Sequence, residues 1–439
     1  MTGANFMFES PSGAKILIDC GMVQGERFAL EENQSSFQYD LNSINALIIT
    51  HAHLDHVGRI PKLVKDGYKG PIYSTPETRE LAQIVLEDAV RILAMEAKQV
   101  EVEPMYGAEE VAAIFPLWKT VKYHEESEIA PGISIFFKDA GHILGSAMVE
   151  IRSGEMKVLF TGDLGNSPAP LLRDTEHVED VDYLIMESVY GDRNHESREG
   201  RANKFEKVIK ETIARGGTLV IPAFAIDRTQ VLLYELNNMV EYNKIPRVPV
   251  FVDSPMAIRA TDVYRGSTDL FNDKVREQIG RGDDIFKFPH LEYTMNANES
   301  RDIENVKGPK IILAGSGMSV GGRIVGHEEH YLSDSKNTIL LVGYQAAGSL
   351  GRQLADGAKK VRIHKEHIKI RARIETLYGY SAHKDGDHLL EFVSTGTDRL
   401  KKVFVVMGEP GASMHLAQRI NDELGVKAIV PERNKGYEV

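Results

Sequence analysis

Short apolar runs and longer helical patterns alternate along the whole chain. The apolar runs are rich in Val, Ile, Leu and Phe and are bounded by turn-forming residues, which is typical of strands. Between them apolar residues recur at the period of a helix that packs on one face. This mixture predicts an α/β fold. In the first part of the chain the predicted strands are residues 6–8, 15–19, 46–50, 71–74, 133–137, 147–151, 157–161 and 183–186, and the predicted helices are 60–65, 76–97 and 108–117.

A second alternation begins after a charged stretch near residue 198. Strands that alternate with helices indicate a parallel sheet of their own. We therefore predict three segments: a first part at 1–190, an inserted domain at 191–355 and a C-terminal part at 356–439. The predicted helices of the insert are 205–214, 228–239 and 256–264, and its predicted strands are 218–221, 248–252, 310–313 and 338–342.

Residues 361–374 alternate regularly between apolar and basic side chains. Lys369, Arg371 and Arg373 would share one face of a single strand. That face is either a basic surface that guides a substrate or the solvated edge of a sheet that resists aggregation.

Composition narrows the class of protein. The chain has 439 residues, and its apolar and charged fractions of 42% and 26% are those of an ordinary soluble protein. Its formal net charge of −12 argues mildly against a nucleic-acid binder, although a nuclease could concentrate Lys and Arg locally. The single cysteine, Cys20, fits a reducing, cytoplasmic setting. The first residues lack the pattern of a secretory leader, and no apolar run approaches a membrane span, so we expect no membrane association.

Four metal-binding side chains follow the predicted strand that ends at Thr50. The sequence there is His-Ala-His-Leu-Asp-His, which places His51, His53, Asp55 and His56 within six residues. Imidazole and carboxylate together suit zinc and related ions. A surface histidine cluster is the alternative, but four such residues at the end of a strand favour a metal site.

Three further residues have the character of site residues, each with a structural alternative. His142 lies between small residues and could be a ligand presented by a loop, or an ordinary loop histidine. Asp163, flanked by Gly162, could approach a metal closely or simply form a turn. Asp19 ends a predicted strand and could orient neighbouring histidines, or cap a turn.

A glycine-rich string, Ala-Gly-Ser-Gly-Met-Ser-Val-Gly-Gly-Arg at 314–323, follows the predicted strand 310–313. Backbone N–H groups of such turns can approach phosphate. A plain tight turn is the alternative. Ser316, Gly317 and Arg323 are therefore candidate substrate-binding residues.

The pattern His-X-His-X-Asp-His resembles the signature of the metallo-β-lactamase superfamily. Other strings resemble its β-CASP branch, and most closely the bacterial and archaeal ribonucleases similar to the endonuclease subunit of the cleavage and polyadenylation specificity factor. The resemblance covers nearly the whole chain, in the order of the family. The strings are Glu-Ser-Val-Tyr-Gly at 187–191, Pro-Ala-Phe-Ala at 222–225, Asp-Ser-Pro-Met at 253–256, Gly-Tyr-Gln-Ala at 343–346 and Ser-Ala-His at 381–383.

The resemblance implies a metallo-β-lactamase αββα sandwich that carries an inserted β-CASP domain, with residues 356–439 returning to the sandwich. It also implies phosphodiester hydrolysis of single-stranded RNA, endonucleolytic or also 5′–3′ exonucleolytic, by a metal-activated hydroxide. A homodimer or a complex with other RNA-processing proteins would fit such an enzyme.

The same resemblance assigns roles to residues. One zinc would be held by His51, His53 and His142, and a second by Asp55 and His56, with Asp163 between them. Asp55, Glu187 and His383 would be catalytic, and His383, oriented by Glu187, would protonate the leaving oxygen. Ser381 joins the candidate phosphate contacts.

Two departures from the family stand out. RNA-processing members carry a zinc-ligating histidine where this chain has Met407, and DNA-processing relatives carry valine there. A thioether is a poor zinc ligand, so the second zinc site is expected to be weaker. The family also usually begins with an extra strand before the Thr2–Gly3 region, so we expect either that one edge of the sheet is missing or that the native chain starts earlier.

Four functions are compatible with these observations. An RNA phosphodiesterase is the first. Met407 supports a DNA nuclease of the same branch, or a weakly active or non-catalytic scaffold. A small-molecule metallohydrolase, such as a thioester hydrolase, would need neither the insert nor His383.

Overall fold

A computed structural model describes residues 3–24, 29–195 and 198–439. Its contacts divide the chain into two units, Met1–Asn194 with His383–Val439, and His195–Ala382. The predicted insert ended at 355, whereas the second unit extends to Ala382. The reason is a strand at Arg373–Thr376, which pairs with the strand Thr338–Leu341 and so joins the sheet of the second unit.

The strands of the described residues, in chain order, are listed here together. They are β1 (Phe6–Glu9), β2 (Lys15–Ile18), β3 (Ile44–Ile48), β4 (Ile72–Ser74), β5 (Trp118–Thr120), β6 (Glu126–Ala130), β7 (Ile133–Asp139), β8 (Ala147–Ser153), β9 (Met156–Phe160), β10 (Tyr183–Glu187), β11 (Thr218–Pro222), β12 (Val250–Asp253), β13 (Leu291–Tyr293), β14 (Lys310–Ala314), β15 (Thr338–Leu341), β16 (Lys360–Ile363), β17 (Glu366–Lys369), β18 (Arg373–Thr376), β19 (Lys402–Val406) and β20 (Ala428–Ile429).

The helices of the described residues are α1 (Ala29–Gln34), α2 (Leu54–Val57), α3 (Ile60–Lys65), α4 (Pro76–Gln99), α5 (Ala108–Ile114), α6 (Arg198–Ala214), α7 (Arg228–Glu241), α8 (Pro255–Gly266), α9 (Asp273–Gly280), α10 (Ala297–Asn305), α11 (Arg323–Tyr331), α12 (Leu350–Ala355), α13 (Gly386–Ser394) and α14 (Pro410–Arg419). Short 3₁₀ turns occur at Leu41–Ser43, Phe115–Leu117, Thr268–Leu270 and Tyr378–Tyr380, and a π turn at Ile420–Leu424. Within the described ranges, no helix has both the length and the apolar character that crossing a bilayer requires.

Two sheets face each other in the first unit. One has the order β1-β2-β3-β4-β5, and the other β20-β19-β10-β9-β8-β7-β6. Alternate residues of β7 are buried, so Ile133, Ile135 and Phe137 enter the core between the sheets, where Ile16 and Ile48 of the other sheet meet them. The alternation typical of a half-buried strand therefore dictates this packing.

Helices cover the outer faces of both sheets. Leu389 of α13 and Leu416 of α14 pack against Leu184 and Val403 of the larger sheet, while α4 packs beside β5 of the smaller one. Helix α4 begins with Thr75, whose hydroxyl accepts the N–H of Thr78, and Pro76 occupies the first helical position. The layers are those of the predicted αββα sandwich, which is confirmed.

The second unit is built on a parallel sheet of order β13-β12-β14-β11-β15-β18. Its strands read as continuous apolar runs because both faces are buried; all five residues of β14 are buried. Helices α11 and α12 contribute Ile324 and Leu354 to one of its cores. The predicted alternation of strands and helices is correct for this unit.

The single strand predicted at 361–374 is wrong. The segment forms the antiparallel hairpin β16–β17 and the separate strand β18. His364, at the hairpin turn, has φ +51°, a left-handed conformation that no strand continues through. Arg373 pairs with Glu211 and Glu375, so its charge is not part of an open basic face.

Candidate metal centre

The predicted ligands lie where strands of the first unit end. His51 and His53 follow β3, and Asp55 and His56 lie on the short helix α2. His142 follows β7, Asp163 follows β9 and Glu187 ends β10. Since β7, β9 and β10 run in the same direction, their carboxyl ends meet at one edge of the sheet.

Four donor atoms converge at this edge. His53 Nδ1 lies 3.1 Å from His51 Nε2 and 3.2 Å from His142 Nε2. Asp163 Oδ2 lies 3.4 Å from His51 Nε2 and 3.6 Å from His142 Nε2. A tetrahedral zinc with bonds of about 2.0–2.1 Å sets its ligand atoms about 3.3 Å apart. Three imidazoles and a carboxylate therefore fit one zinc ion without rearrangement.

His56 offers a second donor pair with Asp163. Its Nε2 lies 3.4 Å from Asp163 Oδ1, and both atoms are buried without a hydrogen-bond partner among the described residues. Such orphaned atoms fit a cation between them. Asp19 Oδ2 lies 2.8 Å from His56 Nδ1 and turns Nε2 toward Asp163.

Thr50 was not singled out from the sequence. Its N–H and hydroxyl both donate to the Asp19 carboxylate, each at 2.8 Å, and its hydroxyl lies 3.1 Å from His51 Nδ1. It therefore ties Asp19 to the first histidine. Its place directly before the histidine cluster was the available signal.

Asp55 is mostly buried at the start of α2, and its backbone carbonyl accepts the N–H of Ala4. Burial lowers the pKa of both His53 and His383, and the charge of Asp55 opposes this effect at each histidine. A carboxylate this close to the cluster is consistent with the ligand role predicted for it.

Two glycines let the ligand loops approach each other. A Cβ atom at Gly165 would stand 1.8 Å from the carbonyl oxygen of Gly141, beside His142. Gly162, with φ +55°, lies against the side chain of Thr50. Any larger residue at either position would push apart the loops that carry His142 and Asp163.

Glu187 and His383 form a pair beside the cluster. Glu187 is fully buried, and its Oε1 lies 3.0 Å from His383 Nδ1 and accepts the N–H of Leu164 at 2.7 Å. His383 Nε2 lies 4.0 Å from Asp163 Oδ2. The side chain of His383 is 21% exposed, which leaves this imidazole accessible to a substrate.

Protonation divides the histidines into two kinds. Burial lowers the pKa of His51 and His142 well below the usual range and that of His53 to about 4, so they are neutral near pH 7, as metal ligands must be. Burial acts in the same sense on His56 and His383, but nearby carboxylates outweigh it. Asp163 and Asp19 raise the pKa of His56 well above its usual range, and Glu187 and Asp163 raise that of His383 to about 9.

The candidate phosphate contacts lie in the second unit, and each is engaged within it. Ser316 Oγ accepts the N–H of Val320, and the ring of Phe224 covers Gly317. Arg323 donates to the carboxylate of Asp253 and to the carbonyls of Thr294 and Met295. Their contact with a substrate stays a prediction, as does that of Ser381, which ends the turn Tyr378–Tyr380.

Met407 lies at the same edge as the ligands of the first unit. It follows β19, which runs parallel to β10, so the two strands end together. Its φ is +59°, which makes the loop turn sharply before α14. The side chain is half-buried.

Family models match three consecutive stretches of the chain. A metallo-beta-lactamase superfamily domain matches residues 9–184, a Beta-Casp domain matches 229–354, and a Zn-dependent metallo-hydrolase RNA specificity domain matches 367–431. Their order is that expected for a β-CASP domain within a metallo-β-lactamase fold.

Named relatives extend this likeness over nearly the full length. The chain is 36% identical to Ribonuclease TTHA0252 of Thermus thermophilus over 87% of this chain and 85% of that protein. It is 33% identical to Transcription termination factor FttA of Methanosarcina mazei over 96% of this chain and 67% of that protein. It is 34% identical to the FttA of Pyrococcus horikoshii over 90% of this chain and 62% of that protein.

A solved structure shares the fold. It is a protein of unknown function from Enterococcus faecalis V583, with a TM-score of 0.58 at 13% identity over 99% of this chain and 96% of that one. Together with the ligand geometry, the family models and the relatives show that this chain belongs to the β-CASP family of metal-dependent hydrolases with the metallo-β-lactamase fold.

Proposed function

We propose that this chain is a zinc-dependent endonuclease of single-stranded RNA. The convergence of His51, His53, His142 and Asp163 at tetrahedral spacing, next to the pair His383 and Glu187, is the observation that carries this proposal. Imidazoles and a carboxylate at this spacing would hold a metal ion, which supplies an activated water for attack on a phosphodiester, and the nearby acid would protonate the leaving oxygen.

Residues of the first unit would hold the metal ions. His51, His53 and His142 would bind one ion, Asp55 and His56 a second, and Asp163 would face both. When bound, such ions supply an activated water and neutralise charge on the phosphoryl oxygens. Asp19 and Thr50 keep the histidine rings in the orientation that leaves their donor atoms directed inward.

His383 would hand a proton to the leaving oxygen. Its Nδ1 faces Glu187, so the proton to be transferred sits on Nε2, the nitrogen nearer the ligand cluster. The N–H groups of Leu164 and Val189 donate to the Glu187 carboxylate and fix it at the end of β10. A preoriented acid of this kind favours expulsion of a poor leaving group.

RNA as the substrate is supported by the relatives. The bacterial relative is named a ribonuclease, and residues 367–431 match an RNA specificity domain. Ser316, Gly317, Arg323 and Ser381 remain our candidates for contacts with RNA phosphates.

A DNA nuclease is the second candidate. Met407 favours it, because this apolar side chain stands at the ligand edge where RNA-processing members would have a histidine. The same residue would weaken the second metal site.

One assay distinguishes an RNA endonuclease from an exonuclease and from a DNA nuclease. Linear single-stranded RNA, circular single-stranded RNA and single-stranded DNA of one sequence are incubated with the zinc-loaded and the chelator-treated protein. We expect zinc-dependent cleavage of both RNAs and slower cleavage of DNA. Equal or faster DNA cleavage would overturn the choice of RNA, and a circular RNA that stays intact would overturn the endonuclease assignment.

The proposed acid has a sharp test. His383→Ala should slow RNA cleavage by roughly 10²–10⁴-fold and leave bound zinc in place. The matched control is His124→Ala, because His124 also faces a carboxylate, Glu176, at 2.8 Å but is exposed in the same unit. A near-normal rate for His383→Ala would remove this residue from the mechanism.

A further inference from the structure

Exposed aromatic residues gather at one edge of the second unit. Among the described residues of the second unit, the large apolar side chains that are exposed are Phe224, Tyr242, Met295, Val320, Tyr344 and Tyr378. All except Tyr242 follow the carboxyl ends of strands of the parallel sheet. Ligands of open parallel sheets bind at this edge, so such a concentration there points to a binding surface.

Three of these aromatic residues lie in neighbouring loops. Phe224 follows β11, Tyr344 follows β15 and Tyr378 follows β18, and these strands are consecutive and parallel in the sheet. Strands in a sheet are about 4.8 Å apart, so the loops start in steps of that size. These residues are 39%, 43% and 44% exposed. We call Phe224, Tyr344 and Tyr378 the aromatic edge.

The aromatic edge rests on a fixed backbone. A Cβ atom at Gly317 would stand 2.7–2.9 Å from three adjacent ring atoms of Phe224, so this ring lies flat on the glycine. Buried Gln345 donates to the carbonyls of Gly317 and Gly343 and thereby joins the loop after β14 to the loop after β15. The ring of Phe224 therefore loses little conformational freedom when it binds a ligand, and the loops after β14 and β15 are held together beside it.

A cation lies on the helix next to these loops. Arg352 is on α12, which follows the loop of Tyr344 and packs against β18, the strand before Tyr378. Its Nε donates to both carboxylate oxygens of Asp356 at 2.9 Å. The side chain of Arg352 is 45% exposed. An aromatic surface with an adjacent guanidinium is the usual composition of sites that take single-stranded nucleic acid, because bases stack on rings and phosphates meet the cation.

We propose that Phe224, Tyr344 and Tyr378 form a platform on which unpaired bases of single-stranded RNA stack. The proposal rests on the RNA phosphodiesterase function above and names the part of the substrate that this surface takes. Every base has a flat face, so stacking would be tolerant of sequence. Tyr378 lies five residues before His383 in the sequence, which links the platform along the chain to the proposed acid.

The test removes the aromatic rings from the protein and, separately, the bases from the RNA. Phe224→Leu, Tyr344→Leu and Tyr378→Leu keep an apolar side chain without a ring, Tyr344→Phe and Tyr378→Phe keep the ring, and Tyr242→Leu is the control at the C-terminal end of α7. KM is measured for a single-stranded RNA and for the same backbone without bases.

Each Leu variant should raise KM for the RNA about 5- to 150-fold, the range for one lost stacking contact. The Phe variants should restore most of the lost affinity, and Tyr242→Leu should have no effect. On the baseless backbone the Leu variants should equal the wild type. The platform would be overturned if the Leu variants had the same KM for the RNA as the wild type, or if they raised KM equally for the RNA and for the baseless backbone.

A failure of the proposed nuclease function can be distinguished from a failure of the platform. If the wild type cleaves no RNA, the proposed function is wrong, and the fluorescence anisotropy of the same two labelled strands then decides on the platform. Weaker binding of the base-bearing strand by the Leu variants would support it. Binding unaffected by the rings or by the bases would overturn it.

Discussion

Among the described residues, each unit has a buried aspartate that faces histidine, Asp163 in the first unit and Asp253 in the second, and the two differ in the distances to their neighbours. In the first unit, Asp163 faces His51, His142 and His56 at 3.4–3.6 Å, distances too long for good hydrogen bonds. One of its oxygens and His56 Nε2 have no hydrogen-bond partner among the described residues.

In the second unit, Asp253 is surrounded by donors at hydrogen-bond distance. Arg323, Ser300 and Thr294 donate to it at 2.6 Å, and His327 Nε2 lies at 2.7 Å. The same residue types thus place donor atoms around Asp163 at ligand spacing in one unit and around Asp253 at hydrogen-bond spacing in the other. In the second unit His327 Nδ1 is also buried without a hydrogen-bond partner among the described residues, so the spacing around the carboxylate, rather than composition or orphaned atoms alone, distinguishes the metal site from the structural cluster.

The largest effect is expected from Asp163→Asn. The neutral amide keeps the shape but is a poor ligand, and Asp163 faces both proposed metal positions. Bound zinc and RNA cleavage should both fall to background, as measured by elemental analysis and by the RNA assay. Asp253→Asn should keep its full zinc content, and a variant at Asp163 that also keeps it would remove this residue from the metal site.

The next effect is on stability. Asp253→Asn leaves buried donors without a carboxylate, so the free energy of unfolding should fall by about 3–5 kcal/mol. Chemical denaturation measures this loss. Asp262→Asn is the matched control, because Asp262 pairs with Arg265 on the surface and should change stability by less than about 0.5 kcal/mol. A small loss for Asp253→Asn would mean that the network is not structural.

The same carboxylate predicts a pH dependence. Burial would raise the pKa of Asp253, but the hydrogen bonds from His327, Ser300, Thr294 and Arg323 outweigh it and lower the pKa to about 2. The unfolded value is about 3.9, so the stabilisation is present above about pH 4 and is lost as the pH falls toward 2. The wild type should lose about 2 kcal/mol more than Asp253→Asn over this interval.

Asp19→Asn should have a smaller effect, confined to the metal cage. Asp19 accepts both Thr50 donors and lies against His56 Nδ1, so its loss should let these groups rotate. Outer ligands of this kind change metal affinity about 10- to 100-fold. Zinc titration measures the change, with Asp40→Asn, an exposed turn residue, as the control. Unchanged affinity would show that Asp19 only shapes the strand end.

The smallest effect is expected from Met407→His. A new imidazole at the end of β19 should tighten the second zinc and leave the first as it is. Met414→His, on the exposed side of α14, is the control and should alter neither site. Two tightly held zinc ions already present in the wild type would contradict the weak second site.

Much of the first cluster could be predicted from the sequence, because His51, His53, Asp55 and His56 are close together along the chain. Glu187 and His383 were linked through the family's motifs, since 196 residues separate them. Thr50 was missed because a threonine at a strand end has no chemistry of its own until Asp19 lies beside it.

Long-range pairing explains the other differences. The extension of the second unit to Ala382 depends on β18 pairing with β15, which no local pattern reveals. The regular alternation at 361–374 predicted one strand, but the turn at His364 divides it. The glycine-rich loop was recognised, whereas the hydrogen bonds from Arg323 to Asp253 could not be inferred from residues 70 positions apart.

Zinc-edge X-ray absorption of the purified, dialysed protein shows whether the histidine cluster holds zinc. We expect retained zinc with a shell of nitrogen and oxygen at about 2.0–2.2 Å and the scattering pattern of several imidazoles, reduced by one imidazole in His142→Ala. Zinc lost on dialysis, or a shell without imidazole that His142→Ala does not change, would contradict it.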